Sequence, residues 1–251
     1  MQNYTNKYTK EAEEKVKKLS KNNDIEKAEK LKKYIGTNLI VCGMPSPLQV
    51  ECLKKGFSFI TDDINQNFIC FDKLYFETKC FEVKNLSFIY LDKNHKHINP
   101  ELQFKLLSKW VTEVDNWAHS DYLSKFLTRL LEHSDTSNNM RKQILKWNTS
   151  LKLWERRQSL VSLYYYARTK KQHVEYDFAI KLIHNLISDK EYFVQKAVGW
   201  ALRESYNVYP NETFKFIDQN IKLITPVAFT TCIEKMNETQ KNNLKQKRKR
   251  K

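Results

Sequence analysis

The chain has 251 residues, a formal net charge of +15 and 41% hydrophobic residues, enough apolar side chains to bury a substantial core. Glycine (4) and proline (5) are scarce, which excludes glycine-rich phosphate loops and predicts a nearly all-helical protein. No apolar run approaches the roughly 18 residues of a membrane span, and the first twenty residues lack the apolar core of a secretory signal. We therefore expect a soluble, intracellular protein, cytoplasmic in a bacterium.

Helix starts can be read from capping residues and from the prolines that follow them. The predicted starts, in chain order, are Asp24, Ser46 with Pro47, Asn99 with Pro100, Asp189 or Lys190, and Thr225 with Pro226. Residues 71–91 show helical spacing of large apolar side chains, and Gly56 is expected to end the helix that Ser46 opens. The sequence therefore predicts helix after helix, joined by short loops.

The five cysteines form an odd set without a CxxC pair: Cys42, Cys52, Cys70, Cys80 and Cys232. That pattern argues against a disulfide framework and against a zinc site, so we expect reduced, mostly buried thiols and no metal. His95 and His97 lie in a polar segment with no further ligand candidates nearby, and we interpret them as surface residues.

An internal repeat organises the middle of the chain. Segment 109–123 (KWVTEVDNWAHSDYL) recurs as segment 146–160 (KWNTSLKLWERRQSL), and a weaker third copy includes Phe193. A period of about 37 to 40 residues is typical of a HEAT-like α-solenoid of antiparallel helix pairs, whose second helices line a concave groove. Trp110 and Trp147 are interpreted as packing residues between repeats. The repeat positions expected to converge on a basic groove are Trp117, Asp121, Arg157, Lys196 and Trp200.

The excess positive charge is confined to two segments. Residues 241–251 hold seven basic residues and no acid, and residues 141–171 hold nine basic residues and one acid, which leaves the remainder formally neutral. The internal segment interleaves basic side chains with tryptophans and tyrosines, a pattern that suits a nucleic-acid backbone. The tail 241–251 is predicted to be disordered, as a DNA-binding arm or a nuclear-import signal. A flexible N-terminus over 1–10 and a single domain over 11–240 complete the predicted organisation.

Trp117 and Asp121 stand four residues apart, so on a helix an indole and a carboxylate lie on one face, one turn apart. On a basic scaffold this pair suits attack on a cationic sugar inside DNA. Taken alone, the same spacing is also common for a core tryptophan beside a solvated acid. His119 points away from this face and is interpreted as a surface residue.

Four motifs together resemble the AlkD-like DNA alkylation repair proteins, which are HEAT-repeat DNA glycosylases. They are YFVQKAVGWALRE (192–204), WERRQSLVS (154–162), the pair Trp117 and Asp121, and KAEKLKKYI (27–35) followed by GMPSP (43–47). The resemblance covers roughly residues 12–236. The chain departs from the pattern at Ala118, His119 and Ser120, where the best-known members carry another tryptophan or acid nearby, which puts the lesion preference in doubt.

The resemblance implies a catalytic aspartate at Asp121, cleft tryptophans at Trp117 and Trp200, and a third aromatic at Tyr34. It also implies phosphate contacts from Arg157 and Arg203, to which the neighbouring Lys152, Arg156 and Lys196 are added. The implied activity is that of a monofunctional alkylpurine DNA glycosylase, a hydrolase acting on double-stranded DNA. We expect a monomer without metal or organic cofactor, associated with the nucleoid or, in a eukaryote, with the nucleus.

Two alternatives remain at this point. The first is a non-catalytic HEAT-repeat protein that binds damaged or branched DNA, as relatives lacking a full site would do. The second is a protein-scaffolding solenoid, the commonest use of HEAT repeats, which the confinement of charge to residues 141–171 disfavours.

Overall fold

The computed structural model describes residues 7–21, 24–165 and 173–249, and over these residues the protein is built from α-helices. The helices are α1 (Lys7–Leu19), α2 (Ile25–Ile35), α3 (Ser46–Lys54), α4 (Ile64–Glu77), α5 (Phe81–Asn94), α6 (Pro100–Trp110), α7 (Trp117–Glu132), α8 (Ser137–Asn148), α9 (Leu153–Val161), α10 (Tyr176–Asn185), α11 (Tyr192–Val208), α12 (Pro210–Gln219), α13 (Pro226–Cys232) and α14 (Glu238–Lys249). A 3-10 turn covers Val111–Glu113, and an isolated β-bridge joins Ile40 to Cys80. The all-α prediction is confirmed. Within the described ranges, no helix is long and apolar enough to cross a membrane.

Three predicted N-caps cap their helices as expected. The side chains of Asp24, Asn99 and Thr225 each accept a hydrogen bond from the backbone N–H three residues later, at 3.2, 3.1 and 3.3 Å. Such bonds satisfy donors that the first turn of a helix leaves unpaired. The other two starts differ by one or two residues, because the N-cap positions of α3 and α11 are Pro45 and Glu191, which form no side-chain capping bond.

Residues 71–91, whose apolar side chains have helical spacing, belong to two helices rather than one. Thr78 is extended, with a ψ of 147°, and α5 begins only at Phe81. The break is held by Ile40, whose N–H donates to the carbonyl of Lys79 (2.8 Å) and whose carbonyl accepts from the N–H of Phe81 (2.9 Å). Both helices bury large apolar side chains, so the helical spacing of apolar residues continues across the break. The sequence pattern therefore does not reveal it.

The N-terminus is helical from Lys7 onward, so residues 7–10 of the predicted flexible segment belong to α1. Thr9 is buried there, and its hydroxyl donates to Glu77 at 2.6 Å. Residues 1–6 of the same prediction lie outside the described residues.

The basic tail is not disordered over residues 241–249, because α14 continues to Lys249. Leu244 is fully buried, and Lys247 pairs with Asp218 at 2.7 Å. Arg248 donates to two backbone carbonyls between α12 and α13, at 3.0 and 2.8 Å. The prediction of disorder rested on charge composition, and these side chains find partners that composition cannot show. Residues 250 and 251 lie outside the described part of the chain.

The internal repeat corresponds to successive helix pairs, α6 with α7 and α8 with α9. Trp110 and Trp147 lie in the last turns of α6 and α8 and are 0% and 2% exposed, which confirms their interpretation as packing residues. Trp117 and Trp154 lie in the first turns of α7 and α9, and Phe193 takes the same place in α11. The third copy therefore continues the pairing with α10 and α11.

The chain divides into two compact units, Met1–Tyr122 and Leu123–Lys251, and the boundary falls inside α7. In the first unit, stacked aromatic rings fill the core, among them Tyr75 and Trp110 with centroids 4.2 Å apart. In the second, α11 packs closely on α13 at Gly199, where an added Cβ would lie 2.6 Å from the carbonyl oxygen of Ala228. The single domain expected over 11–240 stays a prediction.

Candidate active site and nucleic-acid interface

The first turn of α7 positions the predicted catalytic pair. Asn116 is buried and caps the helix, since its side-chain oxygen accepts from the N–H of His119 at 2.9 Å. Trp117 is therefore the first helical residue, and Asp121 follows one turn later on the same face. Both side chains are half-buried, so they remain accessible from solvent on a rigid element.

Tyr34 lies against Trp117, as the sequence resemblance implies for two aromatics of one site. The indole N–H of Trp117 donates to the carbonyl of Tyr34 at 3.0 Å, and the two rings meet edge to face with centroids 5.2 Å apart. Trp117 also packs on the buried cluster of Ile35, Leu39 and Phe81. Tyr34 itself is 71% exposed, which leaves a free aromatic edge beside the fixed indole.

Asp115 ties the start of α7 to the segment that follows α2. Its carboxylate accepts from the hydroxyl of Thr37 at 2.7 Å, from the N–H of Asn38 at 2.8 Å and from the side-chain amide of Asn116 at 2.8 Å. These bonds hold the chain just after Tyr34 against the helix that carries Trp117. The separation between the two aromatics is therefore set by backbone as well as by ring contact.

His119 is buried, so its interpretation as a surface residue is wrong. Its ring stacks on Phe81 with centroids 4.4 Å apart, Nδ1 lies 3.1 Å from the Asn116 amide nitrogen, and Nε2 lies 3.1 Å from Oδ1 of Asn85. These partners fit the neutral tautomer with the proton on Nε2. Burial lowers the pKa of His119 to about 3, and the charge of Lys84 acts in the same direction. His119 thus supports α7 from behind rather than facing solvent.

Three further predicted residues lie on α11, spaced so that they share one side of the helix. Lys196 is exposed, and Trp200, one turn later, is half-buried. Arg203 pairs with Glu204 at 2.9 Å and with Glu234 at 2.8 Å. Of the two charged residues, Lys196 is the more exposed to solvent.

The basic residues at the start of α9 differ sharply in exposure. Arg156 forms a short ion pair with Asp189 (2.7 Å) and donates to two carbonyls of the preceding loop, both at 2.9 Å. The side chain of Lys152 is 67% exposed and lies 3.7 Å from the carboxylate of Glu155. Residues 166–171 of the predicted basic segment lie outside the described residues.

Arg157 is only 6% exposed and donates to the backbone carbonyl of Phe193 at 2.9 Å. The ring of Phe193 also contacts Trp154, with centroids 5.0 Å apart. Arg157 and Trp154 therefore join the first turn of α9 to the first turn of α11. This arginine is part of the packing of the second unit.

The structure brings Tyr34, Trp117 and Asp121 together at the start of α7, and it places Lys196, Trp200 and Arg203 together on α11. Sequence reasoning missed the supporting residues Asp115 and Asn116. The segment Asp-Asn immediately before a helical tryptophan was the available signal, since both residue types favour N-caps and turns.

Together these features define a class of protein: an all-helical repeat protein with an aromatic pair one helical turn from a carboxylate. A family model described as DNA alkylation repair enzyme matches residues 16–236. The chain therefore belongs to the DNA alkylation repair enzyme family, and its role is in the repair of alkylation damage to DNA.

A solved structure described as a predicted DNA alkylation repair enzyme from Enterococcus faecalis has a similar fold. The TM-score is 0.68 at 17% sequence identity, and the match covers 85% of this chain and 96% of the other. The predicted α-solenoid fold class is confirmed in its helical architecture, whereas the basic groove stays a prediction. No curated protein sequence matches the chain.

Proposed function

We propose that this protein is a monofunctional DNA glycosylase that hydrolyses the N-glycosidic bond of purines alkylated at N3 or N7, acting as a monomer on double-stranded DNA. The observation that carries the proposal is the start of α7, where Trp117 and Asp121 share one face and Tyr34 lies against Trp117. A carboxylate beside an aromatic surface is suited both to a cationic base and to a sugar that becomes cationic.

The proposed chemistry follows from charge. Alkylation at N3 or N7 makes the purine cationic and a good leaving group, so the base departs with the bonding electrons and needs no proton from the protein. The deoxyribose is left as an oxocarbenium-like cation, which the carboxylate of Asp121 stabilises. Asp121 also orients the water that attacks this carbon, and the product is an abasic site.

Aromatic and basic side chains supply binding in this proposal. Trp117 and Tyr34 contact the cationic nucleotide, each contributing about 0.5 to 2 kcal/mol through cation–π interaction. A nucleotide contact by Trp200, on α11, stays a prediction from the family resemblance. Lys152 and Lys196 contact phosphates, because their charges are exposed. The proposed role of the arginines is to shape the same surface, since their guanidinium groups already hold protein acceptors: Arg156, Arg157 and Arg203.

Base release by an Asp121→Asn variant tests the proposal. The substitution keeps the shape of the side chain and removes its charge, so we expect release of 7-methylguanine and 3-methyladenine to fall by at least about a hundredfold. The measurement is single-turnover release from alkylated duplex DNA, with DNA affinity measured in parallel. Affinity should stay close to that of the wild type.

The matched control is Glu132→Gln, the same change of charge on an exposed residue at the other end of α7. This variant should release base at the wild-type rate. Equal release by Asp121→Asn and wild type would refute the role of Asp121. If the wild type binds damaged or branched DNA but releases no base, the protein is a non-catalytic DNA-binding member of its family.

A further inference from the structure

Two cysteines and a glutamate meet in the first unit, outside the proposed glycosylase site. Cys42 lies in the segment between α2 and α3, and Cys80 and Glu82 lie at the start of α5. The Cys42 and Cys80 Sγ atoms are 3.8 Å apart, and Cys80 Sγ lies 3.5 Å from Oε2 of Glu82. All three ligand atoms lie within 4.8 Å of one another. Among the described residues, this group gathers three side chains that could hold a metal ion.

The backbone builds this cluster. Oε2 of Glu82 accepts from the N–H of Cys42 at 3.0 Å, and Oε1 accepts from the N–H of Met44 at 3.2 Å. The residue between them is Gly43, which has a positive φ of 68° and whose added Cβ would lie 3.1 Å from the Cβ of Ala28. A tight glycine turn thus aims two N–H groups at one carboxylate and brings the Cys42 thiol to the same place.

Glu82 is fully buried, and in the described part of the chain its carboxylate accepts hydrogen bonds from N–H and S–H donors rather than from a lysine or arginine. A buried carboxylate without a cationic partner is costly. A cation beside Oε2 would neutralise it. The neighbouring thiols would supply the softer ligands that such a cation needs.

The spacing of the ligand atoms matches tetrahedral zinc. With Zn–S bonds of about 2.3 Å and tetrahedral angles, two thiolates lie about 3.8 Å apart. With a Zn–O bond of about 2.1 Å, a thiolate and a carboxylate oxygen lie about 3.6 Å apart. The observed separations of 3.8 Å between the two Sγ atoms and 3.5 Å between Cys80 Sγ and Glu82 Oε2 match these values. The ligand atoms of Cys42 and Glu82 lie within 4.8 Å of each other, so the ion would draw these two side chains together by at most about 1.2 Å.

We propose that Cys42, Cys80 and Glu82 are three ligands of a tetrahedral site for a zinc-class divalent cation. The fourth position is taken by water, which reaches the cluster past the half-buried Cys42. On binding, each thiol loses its proton to solvent, and two S–Zn bonds and one O–Zn bond form. Thiolate ligands select zinc-class ions over magnesium or calcium, which prefer oxygen.

The ion would fasten the segment after α2 to the start of α5. The two segments already share the bridge between Ile40 and Cys80. Tyr34 lies in the last turn of α2, so the tether holds the segment that follows the exposed aromatic of the proposed site. The role is structural, and the site is independent of glycosylase chemistry.

Cobalt binding by the full-length, reduced protein tests the proposal. We expect one Co²⁺ per chain with thiolate-to-cobalt charge-transfer absorption in the near ultraviolet, and stoichiometric displacement by Zn²⁺. Cys42→Ser and Cys80→Ser should each weaken Zn²⁺ binding by more than about a hundredfold. The matched control is Cys70→Ser, a half-buried cysteine in α4, which should bind as the wild type does.

A measurement on the wild-type protein keeps the proposal testable even if a cysteine variant fails to fold. Zn²⁺ should slow alkylation of Cys42 by iodoacetamide, mapped by mass spectrometry, and should leave the alkylation of Cys70 unchanged. Three results would overturn the proposal: binding without the thiolate absorption, an absorption that survives the double change of Cys42 and Cys80, or unchanged alkylation of Cys42. A disulfide between these cysteines, with no metal taken up after reduction, would do the same.

Discussion

The two units use their functional side chains in opposite ways. In the first, the candidate catalytic residues are held through neutral donors: Asn116 caps α7, Trp117 donates to the backbone of Tyr34, and the Asp115 carboxylate accepts from hydroxyl and amide groups. In the second, the prominent charges are arginines, and Arg156 is held by a carboxylate and two backbone carbonyls. The first unit fixes the aromatic pair of this site through neutral donors, whereas the second fixes its helices with guanidinium groups.

This difference distinguishes positive charges that hold the protein together from positive charges that face solvent. Amino-acid composition cannot distinguish them. A guanidinium group offers five donors in a rigid fork, so it can bridge carboxylates and carbonyls within a protein. Lysine offers a compact, strongly hydrated charge, and Lys152 and Lys196 keep theirs at the surface. We therefore expect the arginines to govern the stability of the second unit and the lysines to govern its affinity for DNA.

The largest effect should come from Arg157→Ala. Arg157 is 6% exposed, so the change removes a buried donor to the carbonyl of Phe193 and the packing of its aliphatic stem. We expect the free energy of unfolding to fall by about 3 kcal/mol. Urea unfolding measures it, with Lys196→Ala as the exposed control, which should change stability by less than about 0.5 kcal/mol. Equal losses of stability in the two variants would contradict the distinction between stabilising arginines and exposed lysines.

The next effect concerns the buried ring of His119 in the first unit and depends on pH. The pKa of His119 is about 3 when folded, because of burial, and close to 6.5 when unfolded. Between these values the unfolded chain binds a proton that the folded chain does not, so stability present at neutral pH is lost as the pH falls. From pH 6 to pH 4 this one residue should cost about 2 to 3 kcal/mol.

The variant His119→Gln isolates that contribution. It has no titrating ring, so between pH 6 and pH 4 it should lose about 2 to 3 kcal/mol less stability than the wild type. Both proteins share every other titrating group, including Lys84 and Asp115, which act on the ring. Urea unfolding at several pH values gives the comparison, and parallel pH profiles would show that His119 titrates normally.

The sequence could predict those parts of the fold that depend on near neighbours. The caps at Asp24 and Asn99 bond a backbone N–H three residues away, so local pattern suffices. The break at Thr78 depends on Ile40, far earlier in the chain, and no local pattern contains that contact. The helical tail likewise depends on carbonyls near α13 that accept from Arg248.

In the candidate site, too, local features could be predicted from the sequence and features that depend on distant contacts could not. The spacing of Trp117 and Asp121 is a property of one helix and is readable from five consecutive positions. The burial of His119 depends on α5, which covers the back of α7 with Phe81 and Asn85. A residue facing away from a functional face can be either solvated or packed, and only tertiary structure decides which.

The smallest effect should separate the lysines from the arginines on DNA. If Lys196 contacts a phosphate, Lys196→Ala should weaken binding several-fold and lower the slope of log affinity against log salt by about 0.9. Arg156→Ala should leave that slope unchanged once the folded fraction is accounted for, because Asp189 and two carbonyls already occupy the guanidinium group. Binding is measured on undamaged duplex DNA across a salt series, so catalysis does not contribute. A lower slope in the Arg156 variant would mean that DNA displaces Asp189, and the division between structural arginines and DNA-contacting lysines would then fail.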